Sequence, residues 1–393
     1  MPTTRPLTAR APDEEHRTAT SLELFFDLCF VVAVAQASTS LHHALAEGDI
    51  GHALVGYSMV FFGIWWAWMN FSWFASAYDN DDTLYRLTVF VQIAGVLILA
   101  AGVPRAFDDY SFGVAVLGYV VMRVALITQW LRAAHADPSR RVTDRRYALG
   151  VGLCTVGWAA LLLLPGRWLL VGWLVMAPAE LAVPAWAERA EPTTWHPGHM
   201  AERYGLFTLI VLGESVLSAT MAVQAALDAT DELGSLLAIA FGGLLIVASL
   251  WWVYFSQPTE RVVETARSWF EGGRQSDSFV WGYGHSVVFA SAAAVGAGIA
   301  VAVDVATGHA ELSERGAALA VAGAVALYML SVWAVSGRFK DRTRVGPLSA
   351  PVSAAAVLVV GLVTGSVLAI GLVVAATVAA FVVAESRDPS PVP

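Results

Sequence analysis

Lysine is almost absent from this chain: Lys340 stands alone, and the other 22 of 23 basic residues are arginines. Charge of either sign is scarce, at 14% of residues against 57% hydrophobic, and mean hydropathy is +0.62. A soluble domain carries about a quarter charged residues, so this composition excludes an ordinary soluble protein. Cysteine is scarce too. Cys29 and Cys154 both fall inside apolar runs, which excludes a disulfide framework and a Cys-ligated metal site. There is no Walker lysine motif, no Gly-rich loop between strand and helix, and no extended basic patch, so nucleotide and nucleic-acid binding are not indicated. No Ser-His-Asp or zinc-protease signature appears, and nothing identifies a cofactor or a metal. A cleavable signal peptide is missing as well. Residues 1–20 are polar with charges of both signs and read as a solvated lead-in.

What the chain has is long apolar runs, and the unit to count is about 17–25 residues. They lie at roughly 22–44, 53–77, 84–103, 111–131, 147–165, 168–186, 201–226, 235–257, 279–304, 315–336, 348–364 and 366–385. The block 348–385 is too long for one ordinary span, and Thr364-Gly365-Ser366 offers a tight turn within it. The expected fold class is therefore an all-α integral membrane protein with about 12 transmembrane helices. Basic residues test the count. With the N-terminus inside, 19 fall in inner segments and only 3 (Arg105, Arg167, Arg315) in outer ones, while Arg123 lies within a span. That asymmetry is the positive-inside pattern, with both termini cytoplasmic. The net charge of −9 then says little about partners.

An internal duplication is expected. Trp65-Trp66 in the second span is matched by Trp251-Trp252 in the eighth, and Tyr85 opening the third by Tyr283 opening the ninth, at offsets of 186 and 198 residues. Six spans per repeat give two parallel repeats, with a site at their interface as in some transporters. The organisation is a lead-in at 1–20, six-helix repeats at 21–190 and 191–386, and a tail at 387–393.

Intramembrane charges are costly and default to function, so they are the candidate site. Glu23 and Asp27 share a face of the first span. Glu23 is explained by the helix dipole, with Thr20 or Ser21 as cap; Asp27, among Phe26, Leu28 and Phe30, is not. His199, Arg203, Ile210 and Glu214 share one face of the seventh span. Arg203 and Glu214 are eleven residues and about 16 Å apart, too far to pair, which leaves Glu214 as the strongest single candidate beside Gly213. Arg123 and Glu180 are the other deep charges, and Arg123 is expected to neutralise Glu180, Glu214 or Asp27. Gln36, Asn70, Gln92 and Gln129 suit interhelical hydrogen bonds. The Asp79-Asn80-Asp81-Asp82 run lacks calcium-loop spacing and reads as a solvated acidic loop. His42, His43 and His52 match no metal pattern. The paired tryptophans Trp65, Trp66, Trp251 and Trp252 are expected to pack, or line, the repeat interface.

Four blocks carry a family resemblance. Glu-Leu-Phe-Phe-Asp-Leu at 23–28, Trp-Trp-x-Trp at 65–68, Tyr-Asp-x-Asp-Asp at 78–82 and Glu-Arg-Tyr-Gly-Leu-Phe-Thr-Leu-Ile-Val-Leu-Gly-Glu-Ser at 202–215 resemble the bacterial low temperature requirement A family across nearly the whole chain. The resemblance implies a multi-pass membrane protein and supplies no mechanism. Over two or three residues, Phe26-Asp27 is also similar to the Phe-Ser-Asp first helix of a potassium-channel family built from six-span repeats, without the serine.

The functional expectation is a transporter or channel for a small solute or ion in the cytoplasmic membrane. Asp27 and Glu214 would bind a proton or cation, and the partners are the lipid bilayer and that solute. The alternative is a membrane-embedded enzyme acting on a lipid or lipid-linked group, for which residues 79–82 with His199, Glu202 and Arg203 are the available cluster. A sensor or assembly factor without turnover is the third reading.

Overall fold

The structure, a computed structural model, describes residues 5–11, 14, 17–228, 233–256, 263–265, 268, 275–336 and 349–386. The inner-segment basic residues Arg261, Arg267, Arg274, those from Arg338 to Arg344, and Arg387 in the tail lie outside them. Among the described residues there is no strand. The described residues form twelve helices of sixteen residues or more: α1 Ser21–Ala46, α2 Ile50–Tyr78, α3 Thr83–Asp108, α4 Gly113–Ala136, α5 Arg141–Leu161, α6 Leu169–Ala187, α7 Pro197–Asp228, α8 Leu233–Phe255, α9 Gln275–Ala306, α10 Glu314–Ser336, α11 Ser349–Thr364 and α12 Val367–Ser386.

Ten of these are long and apolar enough to cross a membrane. The two that fall short of the expected twelve do so for different reasons. Helix α5 begins at Arg141, so Asp144, Arg145 and Arg146 occupy its first turns and its apolar part starts only at Tyr147. Helix α11 has 16 residues, at the short limit for a span. The break at 364–366 is present, and Gly365 makes it with a φ of 62°, a conformation glycine adopts without penalty.

Local chemistry sets the helix starts. The Thr20 hydroxyl accepts from the Glu23 amide at 3.3 Å while the Glu23 carboxylate accepts from the Thr20 amide at 2.7 Å, a reciprocal capping box. Asp82 caps α3 by accepting from the Tyr85 amide at 2.7 Å. At α7, Pro197 takes the first helical position, where its missing N–H is harmless, and His196 Nδ1 accepts from the His199 amide at 3.0 Å.

The chain forms two compact units, Met1–Ser40 with Leu54–Arg203, and Leu41–Ala53 with Tyr204–Pro393. In the first, α3 packs on α4, α4 on α5 and α5 on α6. Helices α3 and α4 touch backbone to backbone: a Cβ on Gly118 would lie 2.3 Å from the Leu99 nitrogen and 2.5 Å from the Gly95 oxygen. In the second, α8 packs on α12, and α9, α10 and α11 pack in succession. There a Cβ on Gly371 would meet the Gly242 oxygen at 2.6 Å. Small residues at such crossings let backbones approach, as bilayer helix packing requires.

The lead-in differs from the solvated segment expected of its polarity. Leu7 and Arg17 are buried, and the segment is tied down at several points. Asp82 accepts from the Arg5 amide at 2.7 Å, Arg132 donates to the Arg5 carbonyl at 2.7 Å, and the Arg10 amide donates to the Ala77 carbonyl at 2.9 Å. The loop it covers offers charged and main-chain partners that composition does not reveal.

Candidate functional site

Charge in the first unit gathers at the start of α1. Asp27 sits one turn beyond Glu23 on the same face, and both are fully buried. Arg203, from the first turns of α7 and equally buried, grips Asp27 with two nitrogens: Nε donates to Oδ2 at 3.0 Å and Nη2 donates to Oδ1. A two-pronged guanidinium–carboxylate pair is the strong form of this contact. Its Nη1 lies 3.5 Å from Glu23 Oε1. From α2, the Trp68 indole N–H donates to Asp27 Oδ1 at 2.7 Å.

The cluster extends outward through Glu23. Arg17 places Nη2 3.6 Å from Glu23 Oε1 and 3.9 Å from Asp79 Oδ2, and donates to the Ala75 carbonyl at 2.9 Å. His199 Nε2 lies 3.1 Å from Glu23 Oε1, close enough for a charge contact but off the angle of a hydrogen bond. The buried Tyr85 hydroxyl has no hydrogen-bond partner, and it stands within electrostatic reach of Asp79, Glu23, Arg203 and Arg17. Burial, and then repulsion from Glu23, push Asp79 up to about 6 against the pull of Arg17.

The charges do not balance. Glu23, Asp27 and Asp79 face Arg17 and Arg203, so with a neutral imidazole on His199 the buried group carries one excess negative charge. An uncompensated buried charge is expensive. A proton, on His199 or on a carboxylate, or a bound cation would neutralise it.

A second ion pair lies among α2, α4, α5 and α6. Arg123 Nη2 is 3.2 Å from Glu180 Oε1 and also contacts the Tyr119 hydroxyl. Glu180 accepts from Tyr119 at 2.9 Å, from the Trp158 indole at 3.1 Å and, through Oε2, from the Trp66 indole at 2.7 Å. Of the three carboxylates expected as partners for Arg123, the fold selects Glu180. Four donors saturate it, which reads as a structural lock.

Glu214 bonds to neither group. It is half-buried on α7 in the second unit, and its carboxylate has no hydrogen bond or ion pair among the described residues. A Cβ on Gly213 beside it would meet nothing within 4 Å. Glu202 turns outward from the cluster and accepts from the Ala19 amide at 3.1 Å. Trp65 and Trp66 are buried, whereas Trp251 and Trp252 are 44% and 46% exposed, so the two pairs occupy different surroundings. Gln92 donates to Gln129 at 2.9 Å, joining α3 to α4, and Asn70 bonds its own helix at the Trp66 carbonyl.

The acidic run at 79–82 is not a solvated loop. Asp79 and Asp82 are buried, Arg132 pairs with Asp82, and Arg86 pairs with Asp81 at 2.6 Å. Burial raises the Asp82 carboxyl, but Arg132 and the amides of Tyr85 and Arg5 outweigh it and hold it below the usual range. Among the described residues no group of three or more His, Cys, Asp or Glu could hold a metal ion. His42 instead pairs with Asp304 at 2.7 Å in the second unit.

Three members of the cluster escape a reading of spans alone. Arg17 hides in the polar lead-in, Asp79 in the acidic run, and Tyr85 at a helix start. The second unit adds His285, whose Nδ1–H donates to the Trp281 carbonyl at 2.8 Å while Nε2 accepts from the Tyr254 hydroxyl at 3.2 Å.

Residues 18–384 match the family described as bacterial low temperature requirement A protein (LtrA). The chain belongs to this family. A relative in Rhizobium meliloti (strain 1021), itself described as uncharacterized, is 27% identical over 285 residues, covering 70% of this chain and 67% of its own. The LtrA match starts at residue 18 and therefore takes in Glu23, Asp27, Asp79, Tyr85, His199 and Arg203, while Arg17 lies just before it. Ten candidate spans and the family together make this a multi-pass membrane protein.

Proposed function

We propose that this LtrA protein moves protons or a small cation across the cytoplasmic membrane, with the Glu23–Asp27–Asp79 cluster as the charge-binding step. The observation that carries this reading is the imbalance of three buried carboxylates against two guanidiniums. Structural ion pairs in a bilayer are expected to balance their charge, as Arg123 and Glu180 do one to one, whereas a group with one unmet negative charge takes up a mobile positive one. Asp27 with its fixed partner Arg203 anchors the cluster, Glu23 and Asp79 share the remaining negative charge, and Tyr85 and His199 supply unspent polar atoms. The arginine distribution supports cytoplasmic termini, and the matched Trp and Tyr positions support two parallel six-helix repeats, 21–190 and 191–386.

The test is ion and proton flux in proteoliposomes under imposed pH and cation gradients, comparing wild type with Asp27→Asn and Glu214→Gln. Asp27→Asn keeps the shape and removes the charge, and flux is expected to fall to background in folded protein. Loss in Glu214→Gln as well would give that carboxylate a part in transport. Full flux in Asp27→Asn would overturn the assignment.

A further inference from the structure

Arg17 is the least well held charge in the cluster. Arg203 makes two hydrogen bonds to one carboxylate, whereas Arg17 stands 3.6 Å and 3.9 Å from its two carboxylates, beyond hydrogen-bond reach of either. Its one hydrogen bond goes to the Ala75 carbonyl, and its Nε is buried without a partner. A guanidinium that has given up water for so few direct contacts is costly to bury.

The segment carrying it is attached in the same manner. Residues 5–11, 14 and 17–20 have no regular structure. They are held by the Arg5 main chain to Asp82, Arg132 and Asn80, the Arg10 amide to Ala77, the Arg10 guanidinium to the Asp79 carbonyl at 3.4 Å, the Glu14 carbonyl to His196 Nε2 at 2.8 Å, and the Ala19 amide to Glu202. The Arg10 side chain pairs with Glu14 within the segment. In most of these the segment contributes only a main-chain group, and among its described residues Leu7 is the one fully buried apolar side chain. Such a strap can detach without unfolding a helix.

Around the Arg17 guanidinium lie Glu23 Oε1, Asp79 Oδ2 and the Ala75 carbonyl oxygen, with the unpartnered Tyr85 hydroxyl within reach of the same charges. Carboxylate and carbonyl oxygens are the donors of hard cations, and here the single charge of Arg17 occupies them. We propose that this is a cation-binding position, that Arg17 is its tethered occupant, and that the described lead-in residues 5–11, 14 and 17–20 belong to a removable strap which keeps a free cation out. This deepens the transport reading and rests on it for its purpose, but the site is testable by itself.

The experiment measures thermal midpoint and tryptophan emission of the full-length protein against guanidinium, Na⁺ and K⁺ separately, with tetramethylammonium as the bulky monovalent control. A ligand that binds the folded state raises the midpoint with concentration. Arg17→Ala is expected to gain a saturable response to guanidinium or one of the metal ions, at least tenfold tighter than wild type and absent with tetramethylammonium. Arg17→Gln, which keeps the side chain as far as Cδ and a polar end without the charge, serves if Arg17→Ala does not fold. A folded variant with no gain for any of the three cations would overturn the site. For the strap, an Arg10→Cys/Ala77→Cys pair oxidised to a disulfide is expected to suppress flux, with recovery on reduction; flux unaltered by a formed crosslink would overturn the strap. Cation binding gained with no flux in any variant would uphold the tethered cation and sink transport. Flux in wild type with no gain in binding would do the reverse.

Discussion

Arg203 and Asp27 lie 176 residues apart in sequence and meet with neither side chain exposed. Removing one partner of a buried pair strands the other. Arg203→Ala is therefore expected to destabilise by about 3–5 kcal/mol, and Arg203→Lys to recover only part, because an ammonium cannot make the two-pronged contact. The double variant Arg203→Gln/Asp27→Asn, which removes both charges, should be milder than Arg203→Ala; the loss of detergent-resistant fold on heating is the measurement. The existence of these charges was legible, since Asp27 and Arg203 stand out in apolar runs. Their partnership was not. Spacing relates residues within one helix, and nothing local distinguishes Arg203 from Arg123 as the partner of Asp27. The Trp68 and Trp66 side chains carried the missing signal: a buried indole N–H needs an acceptor, and each points to a carboxylate.

At the scale of elements, apolar run length located the helices, and capping refined their ends. Helix α7 starts at Pro197 rather than near 201, which brings His199 and Arg203 into its first turns. What run length could not show was the docking of a polar lead-in, because its hold is through main-chain groups that every residue carries. Helix contact surfaces are likewise readable only in part from glycine. Gly118→Ala forces backbone atoms of α3 and α4 apart and should destabilise by about 1–3 kcal/mol or more. Gly213→Ala, with open space around it, should be neutral or stabilise by up to about 1 kcal/mol. Equilibrium unfolding of the two variants in parallel separates close approach from simple helix propensity.

For the whole molecule, acid should stabilise before it denatures. Glu188, buried beyond the end of α6, is pushed up to about 7 by burial, opposed by hydrogen bonds from Thr193 and Tyr147, and Asp79 is raised to about 6. A carboxyl raised on folding binds its proton more tightly in the folded state. The penalty for its charged form is complete above the folded value and fades as pH falls toward the unfolded one. Stability is thus expected to rise from about pH 8 to about pH 5. Glu188→Gln should gain on the order of 2–3 kcal/mol at pH 8 and lose the upper part of that dependence, measured as unfolding midpoint against pH. Below that range Asp82, held below its usual value, turns the slope the other way. Helix α2 adds a mechanical consequence. Trp66 and Trp68 are two residues apart and leave it in directions about 200° from each other, one indole hooked to Glu180 and the other to Asp27. The helix is pinned like a camshaft between two latches, so a twist about its own axis withdraws both hooks together, and the two carboxylates lose their indole donors in phase.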